Sequence, residues 1–398
     1  MWDSLFETFL KRMMRQGAIV VTLPSGREVV AGDGSPPLRV TLTDPTLVQR
    51  IVMTPDLGVG EGYMDGTLQI ENDDLRRFLS LVIANSWNGS RSAWRNPLRH
   101  ARRALRRIQQ YAPAPKAQAN VAHHYDLSGE LYDLFLDADK QYSCAYFRTP
   151  DVSLEQAQAD KKAHIAAKLL LEPGMRVLDI GCGWGGMALT LARDFGAQVV
   201  GVTLSREQHA IGRQRVEEAG LSEQVSIRLQ DYREVRGSFD RIVSVGMFEH
   251  VGAPQYETYF RTVHDLLAPD GVALIHTIGR LGPPGITSPW VNKYIFPGGY
   301  VPALSEMSAA IEHQNLTITD VEVWRMHYAE TLRHWEERFT ANIDRARELY
   351  DDRFCRMWRF YLIASEMTFR HGPQVVFQAQ LAHSKTAVPI TRDYLYPQ

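Results

Sequence analysis

The first apolar residues of the chain recur every three or four positions, which is the spacing of a helix with one apolar face. Gly17 follows this segment and predicts its end. We interpret the apolar stripe as a face that packs on the rest of its domain, with a membrane or dimer contact as the alternative. The stripe comprises Trp2, Leu5, Phe6, Phe9, Leu10, Met13 and Met14.

Short apolar runs broken by turn residues follow this helix. Residues 18–22 and 28–30 flank a Leu-Pro-Ser-Gly turn and predict a hairpin, and 38–42 predicts a third strand that leads into a Thr-Asp-Pro helix cap. Residues 58–66 (GVGEGYMDG) are rich in glycine and predict turns. The nearby acidic residues lack the spacing of a calcium-binding EF-hand, so we interpret them as turn and cap residues: Glu61, Asp65, Asp73 and Asp74.

Beyond residue 120, apolar runs alternate with helical patterns such as those at 206–219 and 254–267. The runs have the length and composition of buried parallel strands. They lie within residues 168–179, 199–203, 225–229, 239–245 and 272–277. This alternation predicts an α/β fold with a doubly wound, mostly parallel sheet.

A basic segment separates the N-terminal part of the chain from the part beyond residue 120. Between residues 91 and 107 there are seven arginines and no acidic residue, and an Asn-Pro pair predicts the start of a helix. Aliphatic residues and arginines fall on opposite faces, as in helices that lie on an anionic membrane, while a solvated linker helix is the alternative. We therefore predict a smaller α+β N-terminal domain for lipid, membrane or dimer contact, a basic linker helix and a larger α/β domain, at 1–90, 91–119 and 120–398.

The composition excludes several classes of protein. The chain has 398 residues, 44 Lys and Arg against 46 Asp and Glu, and a net charge of -2, which argues against a generally basic nucleic-acid-binding protein. Its three cysteines form no CxxC pair, so neither a disulfide framework nor a zinc site is predicted, and a cytoplasmic location is favoured. The chain lacks a signal-peptide pattern and a long apolar run, so any membrane contact is expected to be peripheral.

A glycine-rich loop follows the first predicted strand of the α/β domain. Asp179 ends the strand, and Gly181, Gly183 and Gly186 allow backbone N–H groups to approach a ligand closely before the next helix. A dinucleotide-binding fold would place an acidic residue at the end of the second strand, which here reads Gly-Val-Thr-Leu-Ser. The acid two residues before the first glycine instead resembles class I S-adenosylmethionine-dependent methyltransferases, with a nicotinamide or flavin cofactor as the alternative.

Further motifs resemble one family, the cyclopropane-fatty-acyl-phospholipid synthases and the related mycolic acid cyclopropane synthases. With the glycine loop they cover most of residues 120–378: His123-His-Tyr-Asp-Leu, Gln141-Tyr-Ser-Cys-Ala-Tyr, Gly246-Met-Phe-Glu-His-Val-Gly, His276-Thr-Ile-Gly and residues 290–299 (WVNKYIFPGG). A shorter match, Glu61-Gly-Tyr-Met-Asp-Gly, resembles the extra N-terminal domain of the longer bacterial synthases. The resemblance implies a class I methyltransferase fold and an enzyme that adds the methyl carbon of S-adenosylmethionine to a cis double bond of a phospholipid acyl chain, closing a cyclopropane ring.

In this family a bound bicarbonate is the base that removes a proton from the added carbon. Carried over to this sequence, the bicarbonate site comprises Cys144, Glu249, His276, the backbone of Ile278, and Tyr328. The resemblance implies that Glu249 accepts a hydrogen bond from bicarbonate while His276 and Tyr328 donate. Taken singly, these residues also have structural interpretations, such as a buried packing cysteine or a core histidine, and His327 competes with Tyr328.

The resemblance also assigns the cofactor contacts. These are Tyr142, Ser143, Gly181 and Gly183 at the methionine end, Thr203 and Gln208 in place of the usual ribose-binding acid, Gln230 and Asp231 at the adenine, and Asp179 at the end of its strand. The implied partners are phospholipids with cis-unsaturated acyl chains and the anionic inner face of a membrane, without nucleic acid. Longer relatives form dimers, so a homodimer is an open expectation.

Three other functions stay open from the sequence. One is C-methylation of unsaturated acyl chains without ring closure, which yields methyl-branched or methylene lipids or furan-fatty-acid precursors. The others are a lipid-binding protein without catalysis and O- or N-methylation of a small molecule. The presence of Cys144, Glu249 and His276 disfavours both of these. A protein without catalysis is expected to have lost at least one of the three by drift, and O- or N-methylation needs no bicarbonate site.

Overall fold

A computed structural model describes residues 1–88 and 128–396 of the chain. The predicted linker helix at 91–119 and the motif that begins at His123 lie outside the described residues. The chain divides into two compact units. The first is formed by the described parts of Met1–Ala101, Ser288–Ile295 and Leu332–Pro373, and the second by those of Arg102–Thr287, Phe296–Thr331 and Gln374–Gln398.

Helices and strands alternate along much of the described chain. The helices are α1 (Trp2–Met13), α2 (Pro45–Met53), α3 (Pro55–Met64), α4 (Leu75–Asn88), α5 (Gly129–Asp133), α6 (Leu154–Leu169), α7 (Gly186–Phe195), α8 (Arg206–Glu218), α9 (Tyr256–Leu266), α10 (Pro289–Tyr294), α11 (Leu304–Glu312), α12 (His327–Ala341), α13 (Ile343–Leu349) and α14 (Asp352–His371). The strands are β1 (Ala18–Thr22), β2 (Glu28–Gly32), β3 (Leu38–Leu42), β4 (Leu68–Ile70), β5 (Arg176–Ile180), β6 (Gln198–Thr203), β7 (Val225–Leu229), β8 (Phe239–Val245), β9 (Leu267–Arg280), β10 (Thr317–Trp324) and β11 (Gln374–Ala382).

The first unit contains a four-stranded sheet in the order β2-β1-β3-β4. Strands β1 and β2 form the predicted antiparallel hairpin, and β3 pairs in parallel with β1 and antiparallel with β4. The predicted first helix is α1, which buries Phe6 and Leu10 while Leu5 stays exposed. Part of the predicted apolar stripe therefore packs within this unit.

The prediction of turns at 58–66 is wrong, because helix α3 runs through most of this stretch. Its glycines permit a close approach that no other residue would allow. A Cβ atom on Gly60 would lie 2.3 Å from the ring of Trp290 in α10. Packing against this indole thus overrides the low helix propensity of glycine.

The acidic residues of this region have different roles. Glu61 is buried, and it accepts hydrogen bonds from Lys293 Nζ at 2.6 Å and from the Tyr294 hydroxyl at 2.8 Å, so it is not a turn residue. Asp65 is the C-cap of α3, and Asp74 accepts a hydrogen bond from a backbone N–H in the first turn of α4. The prediction of turn and cap residues is therefore confirmed for Asp65 and Asp74.

Helices α13 and α14 belong to the first unit, although the sequence analysis assigned residues 332–373 to the α/β domain. Helix α14 packs against α3 and α4. Arg76 of α4 donates to Glu336 at 2.8 Å and also binds Glu366 of α14. These contacts join segments far apart in the sequence, and a division by composition along the chain does not detect them.

The second unit contains a seven-stranded sheet in the order β10-β11-β9-β8-β5-β6-β7. Strands β5 to β9 pair in parallel, while β11 pairs antiparallel with both β9 and β10. The predicted mostly parallel α/β sheet is confirmed, and β7 and β8 have the predicted bounds. The sequence analysis did not predict β10 and β11.

Helices cover both faces of this sheet. Consecutive residues of β5 enter different hydrophobic clusters: Leu178 is grouped with Phe260 of α9 and Ile311 of α11, and Val177 with Ile165 of α6. Strand β5 lies between β6 and β8, so the chain order reverses there, at the position where doubly wound proteins bind ligands beyond the carboxyl ends of the strands. The fold therefore predicts a site at that edge.

Candidate active site

A cavity that opens to solvent lies at the carboxyl ends of β5, β6, β7 and β8, and together with the solvent at its mouth it encloses about 1170 Å³. Its walls contain all nine residues that the resemblance assigned to the cofactor: Tyr142, Ser143, Asp179, Gly181, Gly183, Thr203, Gln208, Gln230 and Asp231. These residues come from four separate segments of the sequence, of which three lie at the carboxyl ends of parallel strands.

The glycine loop needs its glycines for two reasons. Gly181 has a φ of +81°, which disfavours any other residue, and a Cβ there would lie 2.8 Å from the side chain of Met247. Gly183 has a φ of +55° and nothing within 4 Å of a Cβ position, so its backbone faces open space. Helix α7 begins after this loop, and its free N–H groups suit an anionic group of a ligand.

The second wall is formed by the end of β6 and the start of α8. The Thr203 hydroxyl donates to Gln208 Oε1 at 2.8 Å and accepts from the Ser205 N–H at 3.2 Å. Ser205 caps α8 by accepting from the Gln208 N–H. Both Thr203 and Gln208 are buried, so a polar pair occupies the place of the acidic residue found in dinucleotide-binding folds.

The third wall follows β7. Asp231 accepts hydrogen bonds from Arg233 at 2.8 and 2.6 Å, one to each carboxylate oxygen. Burial raises the pKa of Asp231, but the hydrogen bonds from Arg233 outweigh it and hold that pKa below its usual value. Asp231 is therefore an ionised, oriented acceptor at the cavity wall.

The fourth wall is a loop held by two buried side chains of α6. Lys161 donates from Nζ to Gln141 Oε1 at 2.7 Å and to the Ser143 hydroxyl at 2.8 Å. Gln158 donates to the backbone carbonyls of Gln141 and Ser143 at 3.2 and 3.0 Å. Burial lowers the pKa of Lys161 to about 8. The loop that carries Tyr142 is thus fixed from its inner side.

Glu249 lies in a short turn after β8, between Met247 and His250, which both line the cavity. Its Oε1 accepts a hydrogen bond from the Ile278 N–H at 2.6 Å, and its Oε2 has no partner among the described residues. Burial raises the pKa of Glu249 to about 7. The structure thus brings Glu249 and Ile278 together, as two of the five residues expected around bicarbonate.

His276 is buried on β9, opposite Gln378 on β11. Its Nδ1 lies 3.0 Å from Gln378 Nε2, and its ring stands edge-on to Trp324 with centroids 5.1 Å apart. Burial lowers the pKa of His276 well below its usual value, and the charge of Lys161 acts in the same direction. The imidazole is therefore neutral in the folded protein.

Cys144 is buried next to Ser143, and its thiol donates to the Ala145 carbonyl at 3.4 Å. Burial raises the pKa of this thiol, which the charge of Lys161 only partly offsets. Cys144 is consequently a neutral thiol.

Tyr328 is buried in the first turn of α12. Its competitor, His327, accepts the Phe147 N–H at Nδ1 over 3.1 Å and stacks on Tyr146 with centroids 4.8 Å apart. His327 therefore packs against the loop that follows Cys144. Within the described part of the chain, none of the five expected bicarbonate residues lines the cofactor cavity itself.

About two thirds of the sequence matches a family model. A family model described as mycolic acid cyclopropane synthetase matches residues 113–379. A cyclopropane-fatty-acyl-phospholipid synthase from Escherichia coli is 41% identical over 345 residues, which are 86% of this chain and 87% of that protein. The chain belongs to the mycolic acid cyclopropane synthetase family.

A further relative and a solved structure also match much of the chain. Tuberculostearic acid methyltransferase UfaA1 from Mycobacterium tuberculosis is 36% identical over 388 residues, 94% of this chain and 90% of that protein. The crystal structure of mycolic acid cyclopropane synthase CmaA1 complexed with SAH and CTAB matches with a TM-score of 0.64 and 34% identity, over 68% of this chain and 99% of that one. The expected class I fold is confirmed, and the chain is an S-adenosylmethionine-dependent methyltransferase.

The cavity of this family member fits S-adenosylmethionine. Asp179 is buried on the cavity wall, and its Oδ2 has no hydrogen-bond partner among the described residues. Burial raises the pKa of Asp179 to about 7, because a carboxylate shielded from water is costly without a partner. The α-ammonium group of the cofactor has the opposite charge and can pair with this carboxylate. The open space beside Gly183 leaves room for the methionine end of the cofactor.

Two residues of the site were missed from the sequence. Lys161 carries no motif, and its only signal is that Gln158 stands three positions before it, on the same face of a predicted helix. Gln378 lies in a strand where glutamines alternate with apolar residues, which places a row of amides on one face. Neither pattern indicates which residue the side chain contacts, because Lys161 and Gln378 each bind a segment distant in the sequence.

Proposed function

We propose that this family member transfers the methyl carbon of S-adenosylmethionine to the cis double bond of a phospholipid acyl chain and closes a cyclopropane ring, with bicarbonate as the base. The observation that carries this proposal is the buried Glu249 beside the cofactor cavity, with Oε1 bound to the Ile278 N–H and Oε2 unpaired among the described residues. The 41% identity to the Escherichia coli synthase over most of both chains supports it.

The reaction sets two demands on the site. When bound, S-adenosylmethionine supplies an electrophilic methyl group for the alkene, and loss of a proton from the added carbon then closes the ring. A base must lie near that carbon, away from water, and no nucleophile should trap the carbocation. Cys144 meets the second demand, because burial raises its pKa and a neutral thiol is a poor nucleophile.

Bicarbonate supplies the base in this proposal, and residues of the chain hold it. Glu249 Oε2 accepts the hydrogen bond of the bicarbonate O–H, and His276 and Tyr328 donate to the remaining oxygens. Ile278 contributes through its backbone, since its N–H fixes Glu249 Oε1. An anion in this place also stabilises the carbocation electrostatically.

The phospholipid substrate places the enzyme at a membrane surface. No helix among the described residues is both long and apolar enough to span a bilayer. We propose that the seven arginines between residues 91 and 107 contact anionic headgroups, because clustered basic residues are attracted to such surfaces. A homodimer and a location at the cytoplasmic face of the membrane stay predictions from the sequence.

Mass spectrometry of the lipid product tests this function. The purified protein is incubated with vesicles of cis-unsaturated phospholipid and S-adenosylmethionine that carries a CD3 group. Ring closure predicts an added carbon with two deuterons and no remaining alkene. Retention of three deuterons would instead support methylation without ring closure, and lipid without label, despite cofactor binding, would contradict both functions.

A further inference from the structure

Gln378 and His276 form a side-chain pair at the centre of the second unit. They face each other in the antiparallel register of β11 and β9, and Gln378 Nε2 lies 3.0 Å from His276 Nδ1. Both residues are buried, with 0% and 2% of their surface exposed. Packing rather than solvent therefore fixes the orientation of the two groups.

The chemistry of the amide sets the direction of this hydrogen bond. An amide NH2 group only donates, so His276 Nδ1 must accept, and the proton of the neutral ring is then on Nε2. In the observed orientation Gln378 uses one of its two N–H donors, and its carbonyl oxygen has no partner among the described residues. The reversed amide would leave two N–H donors unpaired, and buried unpaired donors are rarer than buried unpaired acceptors.

Three neighbours keep the ring neutral and in place. Trp324 stands edge-on to His276 with centroids 5.1 Å apart, which restricts rotation of the imidazole. Burial lowers the pKa of His276, and the ammonium groups of Lys161 and Lys168 act in the same direction, against the opposing charge of Glu322. The Nε2 atom has no hydrogen bond to any described residue, so its proton is available to a ligand.

We propose that Gln378 is a positioning residue that fixes His276 as the Nε2–H tautomer, so that the imidazole donates from Nε2 to the anion of the active site. The inference rests on the proposed function only for the identity of that anion. A ring with the proton on Nδ1 would present a lone pair at Nε2, which repels an anion.

Nitrogen NMR of the protein labelled with [15N]histidine reads this tautomer directly. The signal of His276, among thirteen histidines, is assigned by its loss in His276→Asn. We expect a protonated Nε2 and an unprotonated Nδ1 in the full-length protein at neutral pH. A proton on Nδ1, or on both nitrogens, would overturn the proposal.

Gln378→Glu tests the link from tautomer to catalysis, because a carboxylate accepts from Nδ1–H and moves the proton to that nitrogen. We expect kcat to fall by at least about tenfold, as for other partners that orient a functional histidine, with unchanged affinity for the cofactor product S-adenosylhomocysteine. Gln380→Glu is the matched control. Gln380 is also buried on β11 but donates to the Lys168 carbonyl at 2.6 Å, so its variant should keep the Nε2–H tautomer of His276.

The outcomes separate this proposal from the proposed function. A Gln378→Glu protein that keeps the Nε2–H tautomer, or keeps its kcat after the tautomer has changed, would overturn the role of Gln378. If the variants do not fold, the wild-type spectrum alone decides. A wild-type protein that makes no cyclopropane lipid would overturn the proposed function, while the tautomer of His276 would still be read from the same sample.

Discussion

Asp179 and Glu249 are two carboxyl groups that each keep one oxygen without a partner among the described residues. Burial raises the pKa of both to about 7. Such groups destabilise a folded chain unless a ligand supplies the missing partner, so unpaired buried acids are expected at functional sites. Their positions separate their roles: Asp179 lines the cofactor cavity, and Glu249 binds the backbone of Ile278.

The raised pKa of Asp179 predicts a pH-dependent affinity for the cofactor product S-adenosylhomocysteine. Its ammonium group pairs with the ionised carboxylate, and below pH 7 the ionised fraction falls, so the affinity should drop by roughly tenfold per pH unit and level off above pH 7. Calorimetric titrations across this pH range measure the slope. Asp179→Asn should bind weakly without that slope, and a slope that survives in this variant would contradict the assignment.

At the scale of elements, α6 holds the active-site loop while the parallel strands hold the rest of the cavity. Gln158 and Lys161 lie on one face of this helix and bind Gln141 and Ser143 from the inner side. Lys168 is equally buried on α6 but binds Glu322 at 2.5 Å, away from the loop. Two of the buried lysines of this helix thus have different tasks.

Lys161→Met should weaken cofactor binding by roughly tenfold or more, because a hydrogen bond to a charged group contributes about 1.5–3 kcal/mol and the loop loses two of them. Lys168→Met is the matched control, and it should lower the free energy of unfolding while cofactor affinity stays unchanged. Binding titrations and thermal unfolding of both variants measure this contrast. Equal affinities in the two variants would contradict the role of Lys161.

The contact between α3 and α10 predicts the result of a small substitution. Gly60→Ala should destabilise the protein by about 1–3 kcal/mol, because its Cβ would lie 2.3 Å from the Trp290 ring and overpacking costs that much. Gly212→Ala in α8 is the control, since its Cβ would meet nothing closer than 3.5 Å and alanine favours a helix. Denaturant unfolding should show opposite signs, and a neutral Gly60→Ala would refute this packing.

For the whole molecule, sequence patterns predicted the parts whose signal is local. Apolar runs predicted β7 and β8 because those strands lie in the parallel part of the sheet, and the glycine motif predicted the cofactor wall. Strand β11 was not predicted because Gln378 and Gln380 interrupt its apolar run. Both glutamines are buried, and each makes a side-chain hydrogen bond there. Helix α3 was not predicted because its glycines indicate turns, and the Trp290 ring that Gly60 closely approaches lies far away in the sequence.

At the scale of the whole molecule, the proposed membrane contact of the basic segment between the predicted domains can be tested by charge reversal. Reversing three charges, with Arg99→Glu, Arg102→Glu and Arg106→Glu, should weaken binding to anionic vesicles by about 1 kcal/mol per residue. Cosedimentation with anionic and with uncharged vesicles measures the difference.

A matched triple reversal uses exposed arginines elsewhere and should change vesicle binding less: Arg213, Arg261 and Arg345. Equal binding by both triple variants and the wild type would argue against the membrane role of the segment.

The most direct test of the account measures how bicarbonate and Glu249 act together in ring formation. Initial rates are compared in bicarbonate-depleted buffer and after bicarbonate is added, for the wild type and for Glu249→Gln. We expect bicarbonate to stimulate the wild type to saturation. We expect Glu249→Gln to be slower by about 10²–10⁴-fold and not to respond, because a general base contributes that much. A wild type that closes rings equally fast without bicarbonate, or a Glu249→Gln protein that keeps the full response, would contradict it.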